Sequence, residues 1–271
     1  PRSAERVDIN DINEQYLSEF LEALQASMRL AEELDTTWQI HLSETEEERQ
    51  NAIKEFGCSP VEYLAKLGCL NERTIAVHCV ALSDRDIELL AESGASVVHC
   101  PVSNMRLGCG ASPVVKLLKA GINVALGTDG AASACSLSMF EQMRTAGLIA
   151  KGFSQDPTEL TVNQIIRMAT INGANALKLH CDAGSLAVGK LADLAVIDMS
   201  QLVTMPVLDV LSNVIYAVEA QCVHQVWVSG SLVANIQQEK LLRPDRGKLL
   251  TKSNIMSWQN RVCEILRDDF N

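Results

Sequence analysis

Apolar runs and polar gaps alternate along the first half of the chain. Short β-branched runs occur at Thr37–Leu42 (TWQIHL), Thr74–Val80 (TIAVHCV), Ser96–Cys100 (SVVHC) and Ile122–Gly127 (INVALG). Each is short and β-rich, which predicts a strand rather than a buried helix. Helical spacing fills the gaps. Glu14–Leu34 places Tyr16, Phe20, Leu24, Met28 and Ala31 on one face at the 3.6-residue period. Ser59–Pro60 opens a helix running to Gly68, with proline in the first turn where its missing N–H costs nothing. Ser83-Asp84-Arg85-Asp86 forms a capping box, Asp replacing the usual Glu or Gln, ahead of a helix ending near Gly94. Ser112–Pro113 opens another that ends at Ala120–Gly121. Strands alternating with helices predict βα units around a parallel sheet.

Beyond Asp129 the pattern changes. Ser138–Ala150 and Thr161–Leu179 read as helices, the second capped by Thr161. Strand-like segments follow at Ala192–Asp198, Val223–Ser229 and Ser231–Asn235, the last two joined as a hairpin through Ser229-Gly230-Ser231. Leu249–Asp268 has the spacing of a terminal amphipathic helix.

Buried parallel strands are apolar, so their polar residues carry information. His41, His78 and His99 each close a strand, and Asp129 follows the fourth. The carboxyl ends of strands are where α/β sheets and barrels place their chemistry, so these four are expected on one rim. Imidazole and carboxylate are ligands for Zn²⁺ or Fe²⁺. Glu44, three residues past His41, is placed to act as an acid or base. Glu46, Glu47 and Glu48 are expected only to favour a helix N-terminus. His180 and His224 lack a strand-end setting and read as structural or surface residues. Cys79 and Cys100 directly follow histidines, and alternation along a strand turns them to the opposite face, as packed rather than reactive thiols.

Composition narrows the classes. The 271 residues carry 23 basic and 34 acidic side chains, a formal net charge of −11. That balance argues against a duplex nucleic-acid binder, which needs clustered cations, and against an anionic-membrane anchor. No apolar stretch reaches the ~18 residues of a spanning helix. Nine cysteines without any C-x-x-C exclude zinc-ribbon and thioredoxin readings and fit a reducing, cytoplasmic setting. Nucleophile elbows, phosphate loops and dinucleotide fingerprints are absent. So is the H-x-E with P-C-x-x-C of zinc nucleobase deaminases.

The residues at the strand ends also carry a family likeness. His41-Leu42-Ser43-Glu44-Thr45-Glu46-Glu47-Glu48, Val77-His78-Cys79, His99-Cys100-Pro101-Val102-Ser103-Asn104-Met105 and Leu126-Gly127-Thr128-Asp129-Gly130-Ala131-Ala132-Ser133 resemble the amidohydrolase superfamily. Met168–Ala174 and Gly184–Leu194 match it further downstream, so the likeness runs from about His41 to Gly230. Within it, the motifs most resemble those of the 5-methylthioadenosine/S-adenosylhomocysteine deaminases and their chlorohydrolase and guanine-deaminase relatives. The resemblance implies an α/β fold, a (β/α)₈ TIM barrel of amidohydrolase type with a small β-sandwich-like domain. It also implies one divalent metal, zinc or iron, that activates water against a ring carbon bearing an amino group. His41 and Asp129 would be metal ligands, with Asp129 also taking the water's proton. Glu44 would shuttle a proton to the ring nitrogen, and His78 would polarise or orient the attacked centre. Ser103 and Asn104 would contact substrate or order their loop.

The family's opening His-x-His pair is not found. The chain therefore reads as the C-terminal portion of such an enzyme, strands five to eight of the barrel. Residues 1–185 would be barrel, 186–240 part of the small β domain and 241–271 a helical tail. Such a half would leave open sheet edges, favouring completion by another copy as a homo-oligomer. The expected activity is hydrolytic deamination of an adenine-type nucleoside or related small-molecule amino-heterocycle. The alternatives are a guanine- or 8-oxoguanine-type deaminase, a triazine chlorohydrolase, or a non-catalytic fragment that keeps the fold.

Overall fold

The computed structural model describes residues 14–235 and 240–241. Helix α1 (Glu14–Glu33) leads into β1 (Trp38–Leu42), and α2 (Glu46–Phe56) and α3 (Pro60–Lys66) connect it to β2 (Thr74–His78). Helix α4 (Asp84–Ser93) precedes β3 (Ser96–His99), and α5 (Pro101–Arg106) and α6 (Val114–Lys119) precede β4 (Val124–Leu126). The four strands form one parallel sheet in sequential order, the expected βα series. Four helices follow: α7 (Ala131–Ala134), α8 (Met139–Ser154), α9 (Val162–Ala169) and α10 (Ile171–Ala176). A second sheet is built from β5 (Leu194–Ile197), β6 (Val223–Val228), β7 (Ser231–Asn235) and β8 (Lys240–Leu241), antiparallel in sequential order, with α11 (Val210–Tyr216) between β5 and β6.

Local chemistry explains the helix boundaries. Ser59 and Glu62 close a capping box at α3, Ser83 and Asp86 at α4, and Thr161 and Gln164 at α9. Each satisfies backbone N–H groups that the first helical turn leaves unpaired. Gly57 and Gly94 end α2 and α4 at φ 71° and 73°, a left-handed cap that favours glycine. The β6–β7 turn has positive φ at both Ser229 and Gly230, matching the right-handed strand twist of a hairpin.

The expected single helix over Thr161–Leu179 is instead two. Thr170 leaves helical geometry at φ −132°, ψ −97°, and its hydroxyl donates to the Ile166 carbonyl at 2.7 Å. The break lets α10 turn under the sheet. There the Asn172 side-chain amide donates to Val124 O at 2.9 Å, and Asn123 donates to Asn172 O at 3.0 Å. The expected helix at Leu249–Asp268 lies outside the described residues.

Alternation sorts the parallel strands into two faces. Trp38, Leu42, Ala76, Val97, Val124 and Leu126 face the helices and join Val61, Leu90, Leu117, Ile165 and Met168 in the main core. Ile75, Val77 and Cys100 form a second, smaller cluster with Ala176 of α10. Fully burying one such Leu or Ile contributes about 1.5–3 kcal/mol, so the helix-facing side carries most of the stabilisation. Among the described residues, no helix is long and apolar enough to cross a membrane.

Candidate active site

Register decides which strand-end residues meet. His41 pairs with Val77 across β1 and β2, and Val77 pairs with Val98 across β2 and β3. All three therefore share the face opposite the main helix core, where His41 is exposed. His78 stands opposite Leu42, which would send its side chain towards the helices. It leaves strand geometry at φ 73°, as does Cys79 at φ 49°. The turn is held by Cys79 N–H donating to Leu42 O at 3.1 Å and by Val80 and Ala81 N–H donating to Ser43 O at 2.9 Å. The His78 ring consequently meets His41 edge to face, centroids 4.8 Å apart.

Asp129 arrives from β4 through Gly127, where a Cβ would come within 2.7 Å of a Val98 methyl carbon. Only glycine lets the chain pass this closely. Asp129 itself has φ 59°. Burial opposes its ionisation, but the Ser103 hydroxyl, the Gly130 N–H and the neighbouring His78 and His41 favour it, and its carboxyl is held below the ordinary Asp value. The donor atoms of His41, His78 and Asp129 lie within 4.8 Å of one another.

Helix α5 supplies the supports. Ser103 and Asn104 are fully buried. Ser103 Oγ donates to Asp129 Oδ2 at 2.6 Å, and Asn104 Oδ1 lies 2.8 Å from His78 Nδ1. A carbonyl oxygen only accepts, so Nδ1 carries a proton, and in the neutral ring Nε2 keeps its lone pair. That Nε2 is buried with no protein partner. A buried nitrogen without a partner, beside a second imidazole and an ionised carboxylate, is a donor set that fits a divalent cation. A second ring nitrogen bonded to a carbonyl is the usual arrangement of a histidine in such a site.

Glu44 lies beside this cluster, Oε1 3.9 Å from His78 Nε2 and its side chain 26% exposed. Its backbone is fixed by Glu48, whose two carboxylate oxygens accept from Ser43 N–H at 2.9 Å and Glu44 N–H at 2.7 Å. Glu48 is thus a support of the site that the acidic run concealed; only its position one helical turn past Glu44 marks it. Glu46 and Glu47 are exposed, as expected of acids at a helix N-terminus. Arg106 donates to the carbonyls of Ala132 and Ser133 and pins the segment after Asp129.

His99 departs from the expectation of a shared rim. It pairs with Leu126, one residue out of step with Val98, so its ring faces the helix layer. It is 2% exposed and lines a cavity of about 340 Å³ with residues of α6 and α8. Burial, reinforced by His78, lowers its pKa to about 3. Cys79 and Cys100 are buried as expected; burial pushes both thiols up, Cys100 to about 12. His180 is exposed and His224 half-buried, both away from the cluster.

Comparison with known proteins gives a consistent picture. The chain is 46% identical over 232 residues to 5-methylthioadenosine/S-adenosylhomocysteine deaminase of Teredinibacter turnerae, covering 86% of this chain and 52% of that protein. It is 43% identical over 212 residues to 5'-deoxyadenosine deaminase of Methanothermobacter thermautotrophicus, covering 78% and 49%. The crystal structure of an adenosine deaminase from Xanthomonas campestris with bound zinc superposes at a TM-score of 0.82 and 38% identity, covering 90% of this chain and 55% of that one. The chain thus spans about half the length of the curated relatives it matches. The sequence pattern of the amidohydrolase family matches residues 18–233, and the chain belongs to that family, with its α/β barrel-type fold.

Proposed function

We propose that this chain carries the metal- and proton-handling half of a hydrolytic deaminase acting on an adenine-type nucleoside. The observation that carries the reading is the convergence of His41, His78 and Asp129 within 4.8 Å, with the Glu44 carboxylate 3.9 Å from His78 Nε2. His41 and Asp129 would hold a divalent cation, zinc with iron as the alternative, which when bound lowers the pKa of water towards about 7.

The remaining steps belong to the chain's own side chains. The Asp129 carboxylate, kept ionised by Ser103, takes a proton from the attacking water. His78, its ring proton committed to Asn104, offers the Nε2 lone pair to the water's other hydrogen and orients it. Glu44 relays one of the water's protons to the ring nitrogen next to the attacked carbon, and the other, taken by Asp129, passes to the amino group, which departs as ammonia as the carbonyl forms. Positioned acids and bases of this kind contribute about 10²–10⁴-fold each. In this reading Ser103 and Asn104 act on Asp129 and His78 rather than on substrate.

The substrate assignment rests on the relatives, whose names share an adenine on a modified ribose. Triazine chlorohydrolysis and guanine-type deamination use the same water activation and are the alternatives. Residues 1–185 would form the barrel portion, 186–240 a small β unit and 241–271 a tail. Homo-oligomeric assembly and a cytoplasmic setting complete the reading; the eight cysteines among the described residues are all free thiols. The test is turnover of S-adenosylhomocysteine, followed by the change in adenine absorbance. Asp129→Asn is expected to abolish it, and wild-type-like turnover by that variant would overturn the assignment.

A further inference from the structure

The turn after α5 reaches a third functional side chain. Gly108 and Gly110 flank Cys109 at φ 72° and 109°, and Cys109 N–H donates to Asn104 O at 2.9 Å. The turn packs tightly, for a Cβ on Gly110 would sit 3.2 Å from a Val80 methyl carbon. Cys109 Sγ is thereby placed 3.5 Å from Glu44 Oε1, with the S–H as donor. The same carboxylate oxygen is the one 3.9 Å from His78 Nε2. Among the described residues, Cys109 is the single hydrogen-bond donor to the Glu44 carboxylate.

We propose that Cys109 is a positioning residue, its thiol holding the Glu44 carboxylate turned towards His78. Ser103, Asn104 and Cys109 then form one support, contacting Asp129, His78 and Glu44 from a single short helix and its turn. Desolvation first, and the adjacent Glu44 carboxylate second, raise the Cys109 pKa, so the proton needed for this contact stays on sulfur at neutral pH. The catalytic part of the inference rests on the proton-shuttling role given to Glu44; the contact itself does not.

Two measurements separate these. In the first, the full chain and its Glu44→Gln variant are alkylated with iodoacetamide at mildly alkaline pH, and each cysteine is followed by peptide mass spectrometry. Only the thiolate reacts. Removing the carboxylate charge lowers the thiol pKa and leaves more thiolate at a given pH. Lower nucleophilicity offsets part of this, leaving about a threefold faster reaction. Cys135, which is exposed, is expected to keep its rate and serves as the internal standard, and continued protection of buried Cys58 and Cys79 reports an intact fold. An unchanged Cys109 rate beside an unchanged Cys135 rate would overturn the contact. In the second, Cys109→Ala is expected to lower kcat for S-adenosylhomocysteine about tenfold with KM within about twofold. Cys109→Ser, which keeps a donor, is expected to restore kcat to within about threefold of wild type. Equal loss in both variants would overturn the positioning role. Absence of turnover by the wild-type chain would count against the proposed function, while the alkylation comparison would still decide the contact.

Discussion

His78 and His99 close neighbouring parallel strands, and both are buried, yet they do opposite things. His99 obeys the strand: its ring goes where alternation sends it, into the helix layer, and burial keeps it neutral down to about pH 3. His78 breaks the strand with a left-handed residue, and its ring swings onto the rim beside His41 and Glu44. A non-glycine residue in that region costs about 1–3 kcal/mol and persists only where its surroundings impose it. Here the hydrogen bonds of Cys79, Val80 and Ala81 to the β1 loop do so. The difference teaches that the end of a strand is not enough. A helix-facing strand-end histidine such as His78 joins the site through a local departure from strand geometry and a partner that fixes its ring, whereas His41 reaches the rim by strand register alone.

The comparison can be broken in three ways, taken from the largest expected effect. If the His78 side is where chemistry occurs, Glu44→Gln should lower kcat for an adenine-type nucleoside by about 10²–10⁴-fold, whereas His99→Leu should leave kcat within about threefold; steady-state rates of the two variants check this. The next effect is on stability. Asn104→Leu removes the acceptor of a buried ring N–H and should cost about 1–3 kcal/mol. His99→Leu removes a ring that already lacks a partner at Nδ1 and should cost less than Asn104→Leu; urea unfolding midpoints rank the two.

The effect that is smallest near neutral pH is the pH dependence. An unfolded histidine takes up a proton below about pH 6.5, while folded His99 stays neutral to about pH 3. The unfolded state therefore binds more protons in that window, so stability due to this group falls as pH drops from 6.5 towards 3 and is unaffected above it. The slope is at most about 1.4 kcal/mol per pH unit. Stability of His99→Leu against pH should be flatter by that amount, and parallel curves would show that folded His99 takes up its proton over the same pH range as in the unfolded chain.

The parallel strands and the helix starts at Ser59, Ser83 and Thr161 were legible in the sequence, because both depend on local signals: short β-branched apolar runs and side-chain acceptors at helix N-termini. His41, His78, Asp129 and Glu44 were legible as polar residues at strand ends. The fate of His99 was not, since it depends on a one-residue register relative to Val98 that only the neighbouring strands set. Nor was the break at Thr170, where the gain is a tertiary contact from Asn172 to β4. Helix α5 is six residues long, too short for a periodic signal, so Ser103 and Asn104 could be placed in a loop but not aimed. Cys109 was legible only as a residue between two glycines, its contact with Glu44 lying 65 positions away.

Asp86 carries a consequence for how the rim responds to perturbation. It closes the capping box of α4 and also accepts from the side chain of Ser59, the cap of α3. Two helices from successive βα units thus share one buried carboxylate. Their first turns should open as one cooperative unit, with amide hydrogens at the starts of α3 and α4 exchanging at a common rate. The segment between His78 and α4 hangs from this joint. A disturbance at the back of α3 would therefore reach the imidazole on the rim through shared opening, without any atom of the site being altered.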